Sequence, residues 1–186
     1  RKLLAFARKQ VISPRVLDLN ETVASMLNLV RRLIGEEIEL IWRPGEELGR
    51  VRMDDSQVDQ VLANLCVNAR DAIGGVGRIT IRTAQLDLSE AEARLQGEGV
   101  RPGRYVMLSV SDTGCGMSAD VRRHIFEPFL TTKGTGGGMG LPTVFGIVAQ
   151  NDGFITVESE PGQGSTFRVH LPSVAAPLPA AECVAP

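Results

Sequence analysis

Amide side chains recur at helical spacing between residues 57 and 71, where the sequence also predicts a helix. Its buried face comprises Val58, Val61, Leu62, Leu65, Ala69 and Ala72. Beside it runs a polar line that contains neither Lys nor Glu: Gln57, Gln60, Asn64, Asn68 and Asp71. A plain solvated face is the simpler interpretation, but such faces usually carry charges, and asparagine is a middling helix former. Because amide oxygens can ligate a hard cation without adding negative charge beside a phosphate, Asn64 and Asn68 are candidate Mg²⁺ ligands.

A second polar group ends the clearest predicted strand, in the segment SDTGCGM at 111–117. Gly114 and Gly116 permit a tight, left-handed turn directly after Asp112. A carboxylate at this place can accept a hydrogen bond from an exocyclic amine such as that of adenine. A plain Asp-Gly turn is one alternative. A dinucleotide-binding loop is another, because 114–119 matches G-x-G-x-x-A, but the parallel strand–helix unit and the distal acidic residue of that motif are lacking.

The third group is the glycine-rich segment IFEPFLTTKGTGGGMGL at 125–141. Phe126 and Phe129 flank a Glu-Pro pair and form an apolar anchor, after which come Lys133 and alternating glycines at 134–140. An apolar, helix-like run follows at once. The N–H groups of a helix N-terminus preceded by glycines suit a phosphate group. We therefore predict a phosphate-binding loop here, since a flexible linker would not normally be framed by an anchor and a helix.

The elements that must position these groups mix helices and strands without strict βαβ alternation. Predicted helices span about 21–34 (capped by Asn20), 55–73 (capped by Asp54 or Asp55), 119–125 and 141–150. Predicted strands lie within 15–20, 36–44, 49–54, 77–88, 104–114, 153–160 and 165–172. The polar segment 89–103 is predicted as a surface excursion with one helical turn. We expect an α+β fold in which helices cover one face of a single mixed sheet.

Composition narrows the class of protein. Hydrophobic residues make up 43 % of the 186, enough for a core, and 20 basic against 22 acidic residues leave a net charge of −2. Without a basic excess, nucleic acid is not an expected partner. No apolar run reaches the roughly 18 residues that span a bilayer. Three widely spaced cysteines suggest neither a disulfide framework nor a zinc site, so we expect a reduced, cytoplasmic protein.

Four motifs in order resemble a known family. They are NLCVNARDA at 64–72, DTGCGM at 112–117, IFEPFLTTK…GGGMGL at 125–141 and EPGQGSTFRVHLP at 160–172. These resemble the N, G1, F, G2 and final G boxes of the ATP-binding catalytic domain of sensor histidine kinases, hybrid bacterial ones most closely. The wider GHKL superfamily includes DNA gyrase, MutL and heat-shock chaperone ATPases. The resemblance implies a two-layer α/β sandwich with a mostly antiparallel sheet, which binds ATP beneath a flexible lid.

The resemblance also implies roles for individual residues. Asn68 and Asn64 would hold Mg²⁺ against the triphosphate of ATP, and Asp112 would accept the adenine amine. The other nucleotide-binding positions that it implies are Asp71, Gly114, Gly116, Met117, Ile125, Phe126, Lys133, Gly136, Gly138, Met139, Gly140, Leu141 and Ser165.

The implied activity is transfer of the ATP γ-phosphate to a histidine of a dimerisation domain that precedes residue 1, for relay to an aspartate of a response-regulator receiver domain. Residues 1–16 would be the end of the dimerisation helix and a linker, 17–172 the catalytic domain, and 173–186 an Ala/Pro-rich linker or tail. Neither His124 nor His170 stands in a phosphoacceptor sequence, so this fragment alone should not autophosphorylate. The full-length protein would be a homodimer, and membrane anchoring through missing N-terminal segments stays open, whereas the fragment itself could exist as a monomer.

The chain departs from the family pattern at two positions, and these bear on which alternative functions are considered. Many sensor kinases carry Lys or Arg where this chain has Asp71, so charge neutralisation would fall on Mg²⁺ and Lys133. Gyrase-like hydrolases carry a general-base Glu where this chain has Asn64, which is a poor base. A gyrase-like ATPase is therefore disfavoured, and a nucleotide-gated protein-binding module that performs no transfer is the main alternative.

Overall fold

The computed structural model describes residues 13–97, 99–126 and 140–174. The helices are α1 (Leu19–Ile34), α2 (Asp55–Ile73), α3 (Glu90–Gln96), α4 (Ala119–His124) and α5 (Gly140–Gln150). The strands are β1 (Arg15–Leu17), β2 (Ile38–Arg43), β3 (Arg50–Met53), β4 (Gly77–Leu88), β5 (Gly103–Asp112), β6 (Phe154–Ser159) and β7 (Ser165–Val174). The predictions for Lys133, Gly136, Gly138 and Met139 fall outside the described residues.

The seven strands form one sheet in the order β1-β3-β7-β5-β4-β2, and β6 also pairs with β7. Different parts of β7 pair with different strands on the same side. Its residues 165–170 pair with β6, whereas its residues 173 and 174 pair with β3. The β2–β4 pair is parallel and every other described pair is antiparallel. The predicted mixed, mostly antiparallel sheet is confirmed.

The core lies between the sheet and the helices. Helix α1 buries residues at steps of three and four, namely Val23, Met26, Leu27, Val30 and Ile34. Helix α2 contacts α1 on one side, α5 on another, and strands β4 and β5 beneath. Alternate residues of the central strands face these helices: Ile79, Ile81, Val106, Leu108, Val110, Phe167, Val169 and Leu171. Burial of this shared apolar face holds the two layers together.

The N-terminus of α1 differs from the prediction. Its cap is Asp18, whose Oδ1 accepts the backbone N–H of Asn20 at 2.9 Å and of Glu21 at 3.3 Å. Asn20 is instead a tertiary contact, because its amide donates to the Gly45 carbonyl and accepts from the Thr83 hydroxyl at 2.6 Å. The prediction of Asn20 as the cap was therefore wrong, and the preceding strand is shorter for the same reason.

Segment 89–103 is more helical than predicted. Helix α3 has seven residues, because Ser89 and Glu92 form a capping box in which the Ser89 N–H donates to Glu92 Oε2 at 2.8 Å. The sheet also extends beyond the predicted catalytic domain at both ends. β1 begins at Arg15 and β7 ends at Val174, which pairs with Arg50. The boundaries predicted at 17 and 172 therefore lie two residues inside the sheet.

Candidate functional site

The two asparagines of α2 face the first turn of α5. A Cβ placed on Gly140 would lie 3.6 Å from Asn68 Nδ2 and 3.8 Å from Asn64 Oδ1. Both asparagines are half-buried, on successive turns of α2. The structure therefore brings the predicted amide pair to the helix N-terminus that the glycine-rich segment precedes.

One atom at this meeting point lacks a partner. Within the described part of the chain, Asn68 Nδ2 is buried and makes no hydrogen bond. Buried amide groups are nearly always paired, and leaving one unpaired costs about 1–3 kcal/mol. A phosphate oxygen would satisfy this donor, and a half-turn of the amide would present the oxygen to a cation instead. The site thus suits a ligand that carries phosphate, a hard cation, or both.

Asp112 supplies a buried acceptor at the end of β5. Its Oδ1 accepts the backbone N–H of Gly114 at 2.8 Å, and its carboxylate also accepts the backbone N–H of Ser165. Burial raises the pKa of this carboxyl, while the two backbone hydrogen bonds act in the opposite direction. The ionised carboxylate retains lone pairs for one further donor.

The turn after Asp112 is wedged between α2 and the β6–β7 hairpin. A Cβ on Gly114 would lie 2.6 Å from the Ala72 carbonyl carbon, and the Cys115 N–H donates to the Ala72 oxygen at 3.0 Å. Gly116 has a φ of 65°, and any side chain there would meet the Glu160 carbonyl. These two glycines therefore permit a close approach that fixes the turn on both sides.

The sequence did not indicate Ser159, which joins the turn to the hairpin. The Met117 N–H donates to Ser159 Oγ at 2.8 Å, and this oxygen lies 3.0 Å from the Gly164 carbonyl and 2.9 Å from Ser165 Oγ. Ser159 is buried and pairs in register with Ser165 across the hairpin. The sequence feature that could have indicated Ser159 is its position six residues before Ser165, on the other side of a PGQG turn.

Two further predicted residues lie after α4. Ile125 is buried, whereas the half-buried Phe126 packs its ring on Phe145 of α5 at a centroid distance of 5.4 Å. Phe145 itself remains half-exposed. The segment before the glycine-rich stretch is therefore attached to the helix that follows that stretch.

Asp71, another predicted site residue, is paired with its neighbour Arg70 near the C-terminal end of α2. Its carboxylate accepts two hydrogen bonds from Arg70, and the same guanidinium donates to the Leu33 carbonyl at the end of α1. Asp71 lines a surface groove with residues 34–38 and the glycines that end α2. The adjacent arginine thus draws this side chain toward α1 and β2, and no described contact joins it to the turn after Asp112.

A scan against protein families supplies the deciding observation. Residues 53–175 match the model of the "Histidine kinase-, DNA gyrase B-, and HSP90-like ATPase" family. The chain belongs to this family. The match contains all four motifs and the whole amide, turn and hairpin arrangement described above.

Individual relatives are sensor kinases. The sensor kinase CckA of Brucella abortus (strain 2308) is 47% identical over 174 residues, which are 92% of this chain and 18% of the relative. The sensor histidine kinase ZraS of Escherichia coli (strain K12) is 35% identical over 172 residues, 92% of this chain and 34% of the relative. A structure of full-length ShkA in complex with AMPPNP superposes with a TM-score of 0.70 at 29% identity, covering 91% of this chain and 34% of that chain.

The chain therefore spans about a fifth to a third of the length of these relatives. The matches confirm the predicted fold and the assignment of the chain as a catalytic ATP-binding domain of the sensor histidine kinase type. They favour this assignment over that of a binding module without transfer.

Among the described residues, no cluster of three or more His, Cys, Asp or Glu side chains could bind a metal ion. None of the described helices is both long and apolar enough to cross a membrane.

Proposed function

We propose that this chain binds Mg²⁺-ATP and, within a longer sensor kinase, transfers the γ-phosphate to a histidine of a separate dimerisation domain. The observation that carries this proposal is the convergence of Asn64 and Asn68 on Gly140, with one buried amide atom of Asn68 left without a partner. The phosphohistidine would then serve a response-regulator receiver domain, as in two-component relays.

The adenine end of ATP would lie at the turn after β5. Asp112 would accept the exocyclic amine, and Ser165 would stand beside it, near the hydroxyl of Ser159. Gly114, Gly116 and Met117 would shape the pocket, with Ile125 and Phe126 on the side of the glycine-rich segment. The hydrogen bonds of Ser159 to Met117 and Gly164 support this arrangement, because they join the turn to the hairpin.

The phosphate end would lie between α2 and α5. The N–H groups of Gly140 and Leu141, at the start of α5, favour negative charge. Asn64 and Asn68 would hold Mg²⁺, which supplies charge neutralisation to the phosphates when it is bound. Lys133, Gly136, Gly138 and Met139 complete the proposed set from the segment before α5.

The site favours transfer to a presented nucleophile over hydrolysis. Asn64 stands where a general-base carboxylate would be needed to activate water, and an amide cannot accept that proton. We expect the acceptor to come from outside, because neither His124 nor His170 stands in a phosphoacceptor sequence, and His170 is in addition only 5 % exposed with its ring stacked on Phe154 at 4.3 Å. The chain would then act by positioning ATP and by electrostatic stabilisation.

The test of ATP binding is the Asn68→Ala substitution. Removing the amide should abolish Mg²⁺-ATP binding in isothermal titration calorimetry of the 186-residue chain. Asn28→Ala changes an exposed asparagine of α1 and serves as the matched control. Unchanged affinity of the Asn68 variant would refute the proposed site.

Phosphate transfer is tested by adding the dimerisation domain of the proposed longer kinase. With γ-labelled ATP and the protein's own dimerisation domain, the label should appear on a histidine of that domain. Tight ATP binding without label transfer would support a nucleotide-gated binding module instead. Substantial ATP turnover by the isolated chain would support a gyrase-like ATPase.

A further inference from the structure

Gln57 is a buried polar side chain in the first turn of α2, and it faces the opposite end of α5 from the proposed phosphate site. It is 6 % exposed. Its Nε2 donates to Gln150 Oε1 at 3.1 Å, and its Oε1 accepts from Asn151 Nδ2 at 3.0 Å. Asn151 also donates to the Ile147 carbonyl at 2.8 Å, which closes the last turn of α5. Gln57, Gln150 and Asn151 form what we call the amide clamp.

The amide clamp and the asparagine pair lie at the two ends of one helix–helix contact. Helix α5 runs antiparallel to α2, since Gly140 lies beside Asn64 and Asn68 while Gln150 and Asn151 lie beside Gln57. Gln57 and Asn68 are eleven residues apart on α2, a rise of about 16 Å, which matches the length of α5. Because a helix is rigid, contacts that hold the C-terminal end of α5 beside Gln57 also affect where its N-terminus lies, at Gly140.

Apolar packing alone would not define this placement sharply. The buried residues of α5 are Val144, Ile147 and Val148, and hydrophobic contact is non-directional. The hydrogen bonds of the buried Gln57 amide to the exposed Gln150 and the half-buried Asn151 require a particular distance and orientation. The amide clamp therefore adds a directional constraint on the axial position of α5 along α2.

We propose that Gln57 is a positioning residue for the phosphate end of the nucleotide site, an inference that rests on the function proposed above. It acts through α5, by setting the gap between Gly140 and the two asparagines. The proposed acceptor for the adenine amine does not depend on it, because Asp112 lies on β5 and is held by Gly114 and Ser165. Loss of the clamp should thus weaken binding of the phosphates and spare binding of adenosine.

The experiment compares two ligands on one substitution. Gln57→Met keeps the length of the side chain and removes both hydrogen bonds. We expect Mg²⁺-ATP affinity to fall about five- to tenfold in calorimetry, while adenosine affinity, followed by NMR titration of the same 186-residue chain, stays unchanged. Gln57→Glu keeps an acceptor for Asn151 and can accept from a rotated Gln150 amide, so it should restore much of the ATP affinity.

Matched variants keep the outcomes distinct. Gln60→Met makes the same change at an exposed position of the same helix and should alter neither affinity. If Gln57→Met does not fold, Asn151→Ala removes one clamp bond from a half-buried position and should show the same ATP-selective loss. An equal loss for both ligands, or an unchanged ATP affinity, would overturn the positioning role. Failure of the unsubstituted chain to bind Mg²⁺-ATP would instead refute the proposed function.

Discussion

The buried carboxylate of Asp112, which we propose accepts the adenine amine, lowers the stability of the folded protein. The carboxylate is almost fully buried, and desolvation raises its pKa despite two backbone N–H donors. A folded-state pKa above the ordinary value means that the ionised form is less favoured in the folded chain than in the unfolded one. At neutral pH the folded protein therefore carries a charge that costs it stability.

The substitution Asp112→Asn tests this opposition. An amide keeps an acceptor for the Gly114 N–H and removes the buried charge, so the free energy of unfolding at pH 7 should rise by about 1 kcal/mol. The same change should abolish ATP binding, because the amide presents a donor toward the adenine amine. Urea denaturation and calorimetry measure the two effects. Asp87→Asn, at an exposed carboxylate paired with Arg104, is the control, and a destabilised Asp112 variant would contradict the prediction.

Helix α5 contributes both to the core and to the proposed nucleotide site. Its buried residues hold it against α2 and the sheet, while its first residue faces the asparagine pair. Its N-terminus has to approach the amides closely without filling the space between them. Glycine at position 140 meets that need, because it extends no side chain toward Asn64 or Asn68.

Gly140→Ala tests whether that space is used. The added Cβ would make ordinary van der Waals contacts at 3.6 to 3.9 Å, so stability should change by less than about 0.5 kcal/mol. Mg²⁺-ATP affinity should nevertheless fall at least about tenfold, since the methyl group would occupy the space proposed for the phosphates. Gly146→Ala is the control on the same helix, where a Cβ meets nothing within 4 Å. Equal affinities for the two variants would argue against a phosphate site here.

Strand β7 connects several strands of the sheet, since it pairs with β3, β5 and β6. His170 on this strand is buried between Phe154 and its neighbours, and its Nε2 lies 3.1 Å from Thr156 Oγ1. Burial, and then the charge of Arg168, lower the pKa of His170 from 6.5 to about 4.

The pH dependence of unfolding should report this buried imidazole. Between pH 6.5 and about 4 the unfolded chain binds a proton that the folded chain does not, so stability falls as the pH falls through this window. Above pH 6.5 the residue has no effect, and its full contribution is roughly 3 kcal/mol. Urea denaturation of the unsubstituted chain and of His170→Phe, which keeps a ring against Phe154, should give curves that run parallel above pH 6.5 and separate between pH 6.5 and about 4, because only the unsubstituted chain loses stability through this imidazole. Because His124 is present in both proteins, curves that stay parallel down to pH 4 would contradict the prediction.

The family motifs and most of the helices and strands could be predicted from the amino-acid sequence alone. Helix α2, with its cap at Asp54, and strand β4 have the predicted boundaries, because caps, breakers and apolar periodicity depend on neighbours along the chain. The contacts between polar side chains could not be predicted in this way, because they depend on how distant segments pack. Asn20 does not cap α1 but forms hydrogen bonds with Gly45 and Thr83. The Asp71 carboxylate accepts from Arg70, and Gln57 forms a hydrogen bond with Asn151, 94 positions away in the sequence. Several partners satisfy a polar group equally well, so only the packing of distant segments selects one.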